Sequence, residues 1–195
     1  MTDINKILEI KPNKLSPSKG KLLIAEPFMG DYYFKRSVIL LAEHNEEGSY
    51  GMVFNKPLHV KLNDLITDFP KLDADLFLGG PVKTDSLFYI HKFPEIAECI
   101  PISNDLFWGG DIDIIKELIA CNQLNKDNIR FFIGYSGWSP KQLDEELSIN
   151  SWVVTKVKTD ILLNESPDEV WKAMVLKLGD DYAHWINFPV NPSFN

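Results

Sequence analysis

Residues 128–143 constrain the fold of this chain more than any other part of the sequence. The apolar run at residues 129–133 has the composition of a buried strand, and a glycine-rich stretch follows it directly. Ser139, followed by a proline and then by Gln142 at the third helical position, matches a capping box at the start of a helix. The sequence therefore predicts a strand, a glycine turn and a helix whose first N–H groups point to one place, as in many anion-binding sites.

Length and composition indicate a folded globular protein. The chain has 195 residues, of which 45% are hydrophobic and 12% aromatic, and such a composition is far from that of disordered chains. A chain of this length buries a substantial core. Residues 1–19 combine a weak amphipathic pattern with prolines and serines, and Gly20 follows them. We therefore expect a flexible N-terminal arm over residues 1–19 and a single domain over residues 20–195.

Hydrophobic periodicity predicts hairpins mixed with helices. Apolar runs typical of strands lie at residues 22–25, 37–43, 50–54, 75–78, 87–91, 99–102, 105–107, 129–133 and 151–156. Helical spacing or capping signals lie at residues 62–69, 111–119, 139–143 and 166–179. Because strict βαβ alternation is missing, this order predicts an α+β fold with an irregular mixed or antiparallel sheet and about four helices outside it.

The charge of the chain argues against nucleic-acid binding. The formal net charge is −8, and Arg36 and Arg130 are the only arginines. Proteins that bind DNA or RNA neutralise phosphates with clustered lysine and arginine, and this sequence lacks such a footprint. The lysines near the N-terminus (Lys11, Lys14, Lys19 and Lys21) fit a solvated tail.

The sequence also lacks the signals of membrane, metal and cofactor binding. Cys99 and Cys121 lie far apart, so neither a structural zinc site nor a disulfide scaffold is predicted, and a reducing compartment is expected. The apolar run at residues 38–42 is too short to cross a bilayer, and the charged N-terminus lacks the core of a signal peptide. We expect a cytoplasmic protein with no membrane contact, metal or cofactor.

The glycine turn raises one enzymatic alternative, a serine hydrolase. The order Gly134-Tyr135-Ser136-Gly137 resembles the nucleophile elbow, in which a serine sits on a sharp turn between strand and helix. Trp138 replaces the final glycine of that motif, at a place where the helix must approach the strand closely. The chain has four histidines, enough to supply a general base by chance. The competing interpretation is a turn that packs Trp138 beneath the helix.

Other polar and glycine-rich segments have structural explanations beside the functional one. The pairs Gly79-Gly80 and Gly109-Gly110 could form anion-binding nests, yet turns with positive φ explain them without a ligand, and nucleotide-binding spacing is missing. Residues 144–146 are acidic and are interpreted as a solvated helix face. Arg36 and Lys56 flank predicted buried strands, where a cation reaches solvent, pairs with a carboxylate or receives an anion.

Five short motifs, taken in order, carry a family resemblance. They are Phe34-Lys35-Arg36-Ser37-Val38; Glu43-His44-Asn45; Gly51 with Asn55-Lys56-Pro57; Gly79-Gly80-Pro81-Val82; and Gly134-Tyr135 with Gly137-Trp138 and Gln142-Leu143. In this order they resemble the YqgE/AlgH family of small bacterial proteins. The similarity extends from about Gly20 to Trp185.

The resemblance implies a fold and a cellular setting but no chemistry. It implies a cytoplasmic bacterial protein whose sheet forms a partly closed, barrel-like body, with no assigned cofactor or reaction. Members are often labelled transcriptional regulators because of a genetic association with polysaccharide production, although this chain has no recognisable helix-turn-helix. Many members carry alanine at position 136, which weakens the hydrolase alternative. The segment at residues 107–111 departs from the Thr- and Ser-containing stretch of the family, so no site is transferred through it.

The sequence therefore favours a non-enzymatic binding or regulatory domain whose ligand is a small anion or a protein partner. Arg36 or Lys56 would supply positive charge, Tyr135 and Trp138 flat contact area, and the turns backbone N–H donors. The predicted ligand-binding residues are Arg36, Asn55, Lys56, Gly79, Gly80, Pro81, Tyr135, Ser136, Gly137, Trp138 and Gln142. This hypothesis requires the three turns to meet around one recess. The alternative is an acyl hydrolase that uses Ser136.

The charge argument yields a direct test. At physiological salt the purified protein should not retard duplex DNA in a gel-shift assay, because a chain with net charge −8 lacks the counterion-release term that drives non-specific binding. A basic DNA-binding protein on the same gel serves as the positive control. A salt-sensitive shift at micromolar protein would contradict this prediction.

Overall fold

The computed structural model describes residues 15–189, so most of the predicted arm lies outside the described residues. The strands are β1 (Lys21–Ala25), β2 (Val38–Asn45), β3 (Gly48–Val53), β4 (Pro57–Lys61), β5 (Asp75–Leu78), β6 (Val82–His91), β7 (Ile100–Pro101), β8 (Phe107–Trp108), β9 (Ile129–Trp138) and β10 (Trp152–Lys156). The helices are α1 (Leu62–Leu65), α2 (Ile112–Ala120), α3 (Gln142–Ser148), α4 (Thr159–Asn164), α5 (Pro167–Leu178) and α6 (Asp180–Ala183), with a 3₁₀ turn at His184–Asn187.

The α+β class and the mixed sheet are confirmed, whereas the barrel and the helix number need correction. The strands follow the order β10-β1-β2-β3-β9-β6-β8-β7, and β5 joins this path through β9 while pairing with β4. The β5–β9 pair is parallel and the other pairs are antiparallel. Within residues 15–189 the sheet path has two free ends and does not close, and six α-helices accompany it instead of about four.

Strand β9 pairs with three other strands of the sheet. Its course differs from the strand, glycine turn and helix that the sequence predicted for residues 128–143. It continues through the expected glycine turn as far as Trp138, pairing first with β5 and β6 and then with β3. Gly134 supplies the bend within the strand, because its φ of 69° is available to glycine at little cost. The register with β6 shifts between Val82 and Leu87 beside this bend. The segment is thus a kinked strand and not a strand, turn and helix in immediate succession.

Gly79 allows a second chain segment to lie directly against this kink. A Cβ atom added at Gly79 would lie 2.2 Å from the carbonyl oxygen of Gly134 and 2.8 Å from Met52 Sδ. The Gly79 amide donates to the Ile133 carbonyl at 2.9 Å, and the Gly79 carbonyl accepts from the Val53 amide at 3.0 Å. The segment therefore has no room for a side chain at Gly79, which explains the glycine by contact with the backbone of β9.

The β1–β2 hairpin is buried on both faces, which explains its continuous apolar sequence. Alternate residues face opposite sides of a strand, so one set of side chains packs under α5 and the other under α3. The α5 side contains Leu22, Ile24, Val38, Leu40, Val170, Trp171, Met174 and Val175. The α3 side contains Leu23, Ala25, Ile39, Leu41, Trp138, Leu143 and Trp152. The helix predicted over residues 166–179 is thereby confirmed as α5, and its apolar face packs on this side of the hairpin.

A third cluster covers the other end of β9. Phe131 and Leu76 from the parallel pair pack with Ile115 and Ile119 of α2. The sequence predicted α2 at its observed position, and Asp111 caps it by accepting from the Asp113 amide at 2.9 Å. Helix α1 is a single turn that ends at Leu65, so it is shorter than the helix predicted over residues 62–69.

A buried arginine joins β9 to two distant segments. Arg130 is 7% exposed. Its Nη1 donates to the carbonyl oxygens of Phe54 at 3.0 Å and Leu162 at 2.6 Å, and its Nη2 donates to Leu163 at 3.1 Å. The last carbonyls of a helix lack partners within the helix, so the guanidinium completes the end of α4. Burial lowers the pKa of Arg130 to about 10, so the side chain stays cationic at neutral pH.

The close approach at Gly79 generates a stability prediction. Gly79→Ala should lower the free energy of unfolding by about 2 kcal/mol or more, because the new methyl group overlaps the backbone of β9. Gly30→Ala is the matched control, since a Cβ there meets no atom within 4 Å. Urea denaturation followed by circular dichroism measures both variants. Equal stability of the two variants would contradict the packing described here.

Candidate functional site

The two glycine-rich segments of the predicted site meet, but they leave no recess between them. Gly80 is buried, and a Cβ atom there would lie 2.3 Å from the backbone of Tyr135. Ser136 is fully buried and its Oγ donates to the Gly79 carbonyl at 2.9 Å. Pro81 and Gly137 lie at the surface on the flanks of this contact. The backbones themselves fill the space in which the sequence hypothesis placed a ligand.

Trp138 and Gln142 belong to a polar network around Glu146. Trp138 is 5% exposed, and its Nε1 donates to Glu146 Oε2 at 2.9 Å. Trp152 Nε1 donates to the same oxygen at 2.7 Å, and Gln142 Nε2 donates to Glu146 Oε1 at 3.0 Å. The interpretation of Glu146 as part of a solvated face was therefore wrong. Trp138 packs beneath α3, as the interpretation without a ligand expected.

Helix α3 begins later than the capping box predicted. Lys141, with φ of 67°, occupies the N-cap position, and α3 starts at Gln142. The Ser139 amide and hydroxyl both donate to Gln142 Oε1, at 3.0 and 3.1 Å, so the serine does not cap the helix amides. At α5, Ser166 is the N-cap and proline follows it, as predicted, but the Ser166 side chain makes no capping bond.

The remaining predicted residues, Arg36, Asn55 and Lys56, do come together. They line a cleft of about 550 Å³ between the segment before β2, the segment after β3 and the start of α5. The other wall of this cleft contains Pro167, Asp168 and Trp171. We call it the Arg36–Lys56 cleft. The sequence hypothesis therefore combined two separate regions, the residues of this cleft and the packed contact between the two glycine-rich segments.

Asn55 holds the floor of the cleft in place. Its side chain is 8% exposed. Its Oδ1 accepts from the Val38 amide at 2.9 Å, and its Nδ2 donates to the Arg36 carbonyl at 2.9 Å. The side-chain amide acts both as an acceptor and as a donor, so it fixes the segment that follows β3 to the segment that contains Arg36. Asn55 therefore positions the cleft, and its polar atoms are engaged with the protein.

Arg36 lies half-buried over an aromatic ring. Its guanidinium carbon is 4.8 Å from the centroid of the Trp171 ring, and its Nη2 donates to the Phe188 carbonyl. Its Nε is buried without a hydrogen-bond partner among the described residues. The backbone φ of Arg36 is 50°, an uncommon value for a residue with a side chain. Burial lowers the pKa of Arg36 from its ordinary value.

Lys56 is the second cation of the cleft. Its Nζ donates to the Lys35 carbonyl at 2.7 Å. Burial lowers the pKa of Lys56, the nearby Lys35 ammonium lowers it further, and Asp168 acts in the opposite direction. Within residues 15–189 the ion pairs are Lys61 with Asp73 and Asp75, Lys116 with Asp68, and Lys172 with Glu169. Neither Arg36 nor Lys56 is thus paired with a carboxylate in the described part of the chain.

The described residues offer no metal centre. No group of three or more His, Cys, Asp or Glu side chains within residues 15–189 is arranged to hold a metal ion. His91 is fully buried, and its Nε2 lies 2.8 Å from the Gly109 carbonyl, while its Nδ1 accepts from the Phe93 amide at 3.2 Å. Burial lowers the pKa of His91.

No helix in this part of the chain has the length and apolarity needed to span a bilayer.

The fold places this chain among the α+β proteins, with a kinked central strand, and comparisons of its sequence identify the family. A family model described as AlgH-like matches residues 22–183. A UPF0301 protein of Bacteroides fragilis is 46% identical over 190 residues, with 97% of both chains covered. A UPF0301 protein of Bacteroides thetaiotaomicron is 45% identical over the same length and coverage. The chain belongs to the AlgH-like, or YqgE/AlgH, family, which confirms the resemblance found in the sequence.

Solved structures give the same result for the fold. The solution structure of the AlgH protein from Pseudomonas aeruginosa has a TM-score of 0.69 and 31% identity, covering 87% of this chain and 93% of that one. The crystal structure of a protein from Corynebacterium diphtheriae has a TM-score of 0.74 over 92% of this chain and 95% of that one. Because the latter is 23% identical, its likeness concerns the fold alone.

The position of Ser136 generates a test of the hydrolase alternative. A fluorophosphonate probe should not label the native protein, because the hydroxyl is fully buried and already donates to the Gly79 carbonyl. Ser136→Ala should fold normally and lose about 1 kcal/mol of stability, the usual contribution of one such hydrogen bond. In-gel fluorescence beside an active serine esterase measures labelling. A signal in the native protein that disappears in Ser136→Ala would restore the hydrolase alternative.

Proposed function

We propose that the Arg36–Lys56 cleft binds a small anionic ligand, and that the protein acts as a non-enzymatic binding or regulatory domain. The observation that carries this proposal is the pair of half-buried cations without carboxylate partners in the described residues. Desolvating a cation costs free energy that a partner normally offsets. A ligand carboxylate or phosphate would supply that partner.

The chemistry of the cleft favours a carboxylate or phosphate group. A guanidinium presents several N–H donors in a planar fork, and Arg36 retains an unpaired Nε within the described residues. Lys56 adds a compact positive charge, and the first turn of α5 adds the positive end of a twelve-residue helix. Asp168 and Glu169 lie on the same wall, so a ligand with additional cationic or hydroxyl groups fits better than a bare polyanion.

The shape and the backbone of the cleft support the same proposal. Its volume of about 550 Å³ falls in the range typical of small-molecule sites. Arg36 and His59 both line it, and both have positive φ, at 50° and 56°. Such backbone conformations cost free energy and cluster at binding sites. We further propose a cytoplasmic location, since Cys99 and Cys121 are both free thiols.

A titration with glycerol 3-phosphate and with malate tests the proposal, because each combines an anionic group with a hydroxyl group. Binding should change tryptophan fluorescence, because Arg36 lies over the Trp171 ring, and Trp171→Phe should remove that signal while calorimetry still detects binding. Lys56→Met should weaken binding about tenfold, the effect of losing about 1.4 kcal/mol. Lys116→Met is the matched control, since Lys116 lies on α2 and pairs with Asp68 at 3.5 Å.

The pH dependence gives a second signature. The anion binds the ammonium form of Lys56, so affinity should fall as the pH rises through the pKa of Lys56 in the free protein. Burial places that pKa below its ordinary value of 10.5. Lys56→Arg should move the loss of affinity to higher pH, because a guanidinium stays protonated. The proposal fails if neither anion binds at millimolar concentration, or if Lys56→Met and Lys116→Met bind equally well.

A further inference from the structure

Four aromatic residues on neighbouring strands face one another on the side of the sheet away from α3. Tyr50, Tyr135, Phe88 and Trp108 lie on β3, β9, β6 and β8, and these strands are consecutive in the sheet. All four rings are half-buried and pack against the large core cluster that also contacts α5. The strand order, rather than the sequence order, brings them together. We call this group the aromatic box.

The rings are arranged as successive walls. Tyr50 and Trp108 have centroids 5.3 Å apart at an interplanar angle of 88°, and Phe88 and Trp108 are 5.8 Å apart at 76°. Phe88 and Tyr135 are 5.7 Å apart at 80°, and Tyr50 and Tyr135 close the circuit at 6.3 Å and 73°. Each ring is thus close to perpendicular to both of its neighbours. Cation–π attraction acts within about 6 Å of a ring centroid, so a cation seated against this group can interact with more than one ring.

The aromatic box lines an open cavity with one charged residue at its edge. The cavity has a volume of about 220 Å³ and is lined by the four rings and Lys83. Lys83 is exposed, and its backbone has a φ of 50°. The cations that lie over rings within residues 15–189 are Arg36, Lys116 and Arg130, and their rings are outside the aromatic box. The described residues therefore place no cation of the protein over the rings of the aromatic box.

A negative field surrounds the cavity on one side. Burial is the largest cause of the raised pKa of Tyr50. The nearby Glu43 carboxylate raises that pKa further, and Tyr135 has a smaller effect in the same direction. Glu43 and Glu47 line an adjoining recess that shares Tyr50 and Tyr135 with the aromatic box. Ring faces and nearby carboxylates both favour a positive charge. A quaternary ammonium group suits this setting best, because it has no N–H donors to leave unsatisfied among apolar walls.

We propose that the aromatic box binds a small zwitterion that carries a quaternary ammonium group and a carboxylate. The ammonium group occupies the open cavity that the four rings line, and the carboxylate pairs with the Lys83 ammonium at the edge. This arrangement gives each lining residue a partner and accounts for a lysine beside a cation site. The site shares no lining residue with the Arg36–Lys56 cleft, so the two proposals stand or fall separately.

Calorimetric titration with glycine betaine tests the proposal, and two analogues separate its parts. The isostere 3,3-dimethylbutyrate keeps the shape and the carboxylate but has a carbon atom in place of the positively charged nitrogen, and it should bind about tenfold more weakly, or about 1.4 kcal/mol. Choline keeps the ammonium group but lacks the carboxylate, and it should also bind more weakly. Equal affinity for glycine betaine and 3,3-dimethylbutyrate would overturn the proposal, because the box would then be merely apolar.

Variants locate the site. Trp108→Leu should abolish binding of glycine betaine, and Lys83→Met should reduce its affinity to that of choline without changing the affinity for choline. Lys177→Met, an exposed residue of α5, is the matched control and should bind as the native protein does. Circular dichroism establishes folding. If Trp108→Leu fails to fold, the comparison of glycine betaine and choline on Lys83→Met decides alone, and an unchanged preference for glycine betaine refutes the proposal. Absence of binding to the native protein at millimolar concentration also refutes it.

Discussion

The interaction on which most of this structure depends is the one between Arg130 and three backbone carbonyl groups. Its guanidinium joins Phe54, Leu162 and Leu163 to β9, across separations of 76, 32 and 33 residues. Hydrogen bonds from a charged donor contribute about 1.5–3 kcal/mol each, and their loss would also leave carbonyls without partners in the interior. The effect reaches the candidate site, because Phe54 directly precedes Asn55 and α4 leads into the start of α5. One side chain thus fixes both walls of the Arg36–Lys56 cleft.

Local sequence signals predicted the elements well wherever burial alone decided the conformation. The strands of the β1–β2 hairpin and the apolar face of α5 follow from hydrophobic periodicity, since each buries a continuous apolar surface. The same reasoning failed at residues 134–138, because the glycines looked like a turn. What keeps this segment extended is its pairing with β3 and the close approach of Gly79 and Gly80. Those contacts are formed between residues more than fifty positions apart, so no local pattern announces them.

The candidate site likewise contains residues whose position the sequence predicted and residues whose role only tertiary contacts decide. Arg36 and Lys56 were identifiable as cations beside buried strands, and the structure places them in one cleft. Trp138 and Gln142 looked equally suitable as ligand contacts, but Glu146 engages both. Nothing in the sequence around Glu146 distinguishes it from its exposed neighbours Asp144 and Glu145. Its role depends on indole N–H groups that arrive from two different strands, and only the tertiary arrangement reveals it. Arg130 and the aromatic box were missed for the same reason.

One contact described above ties the last described residues to the state of the cleft. The Arg36 side chain donates to the carbonyl oxygen of Phe188, which follows the 3₁₀ turn at His184–Asn187. The centroid of the Phe188 ring also lies 4.7 Å from that of Phe28, with the rings tilted by 48°, so this stretch is held at two points. An incoming carboxylate and the Phe188 carbonyl would draw on the same guanidinium. If the cleft binds an anion as proposed, its occupancy and the docking of the stretch around Phe188 would be thermodynamically linked, and each would alter the equilibrium of the other by an equal factor.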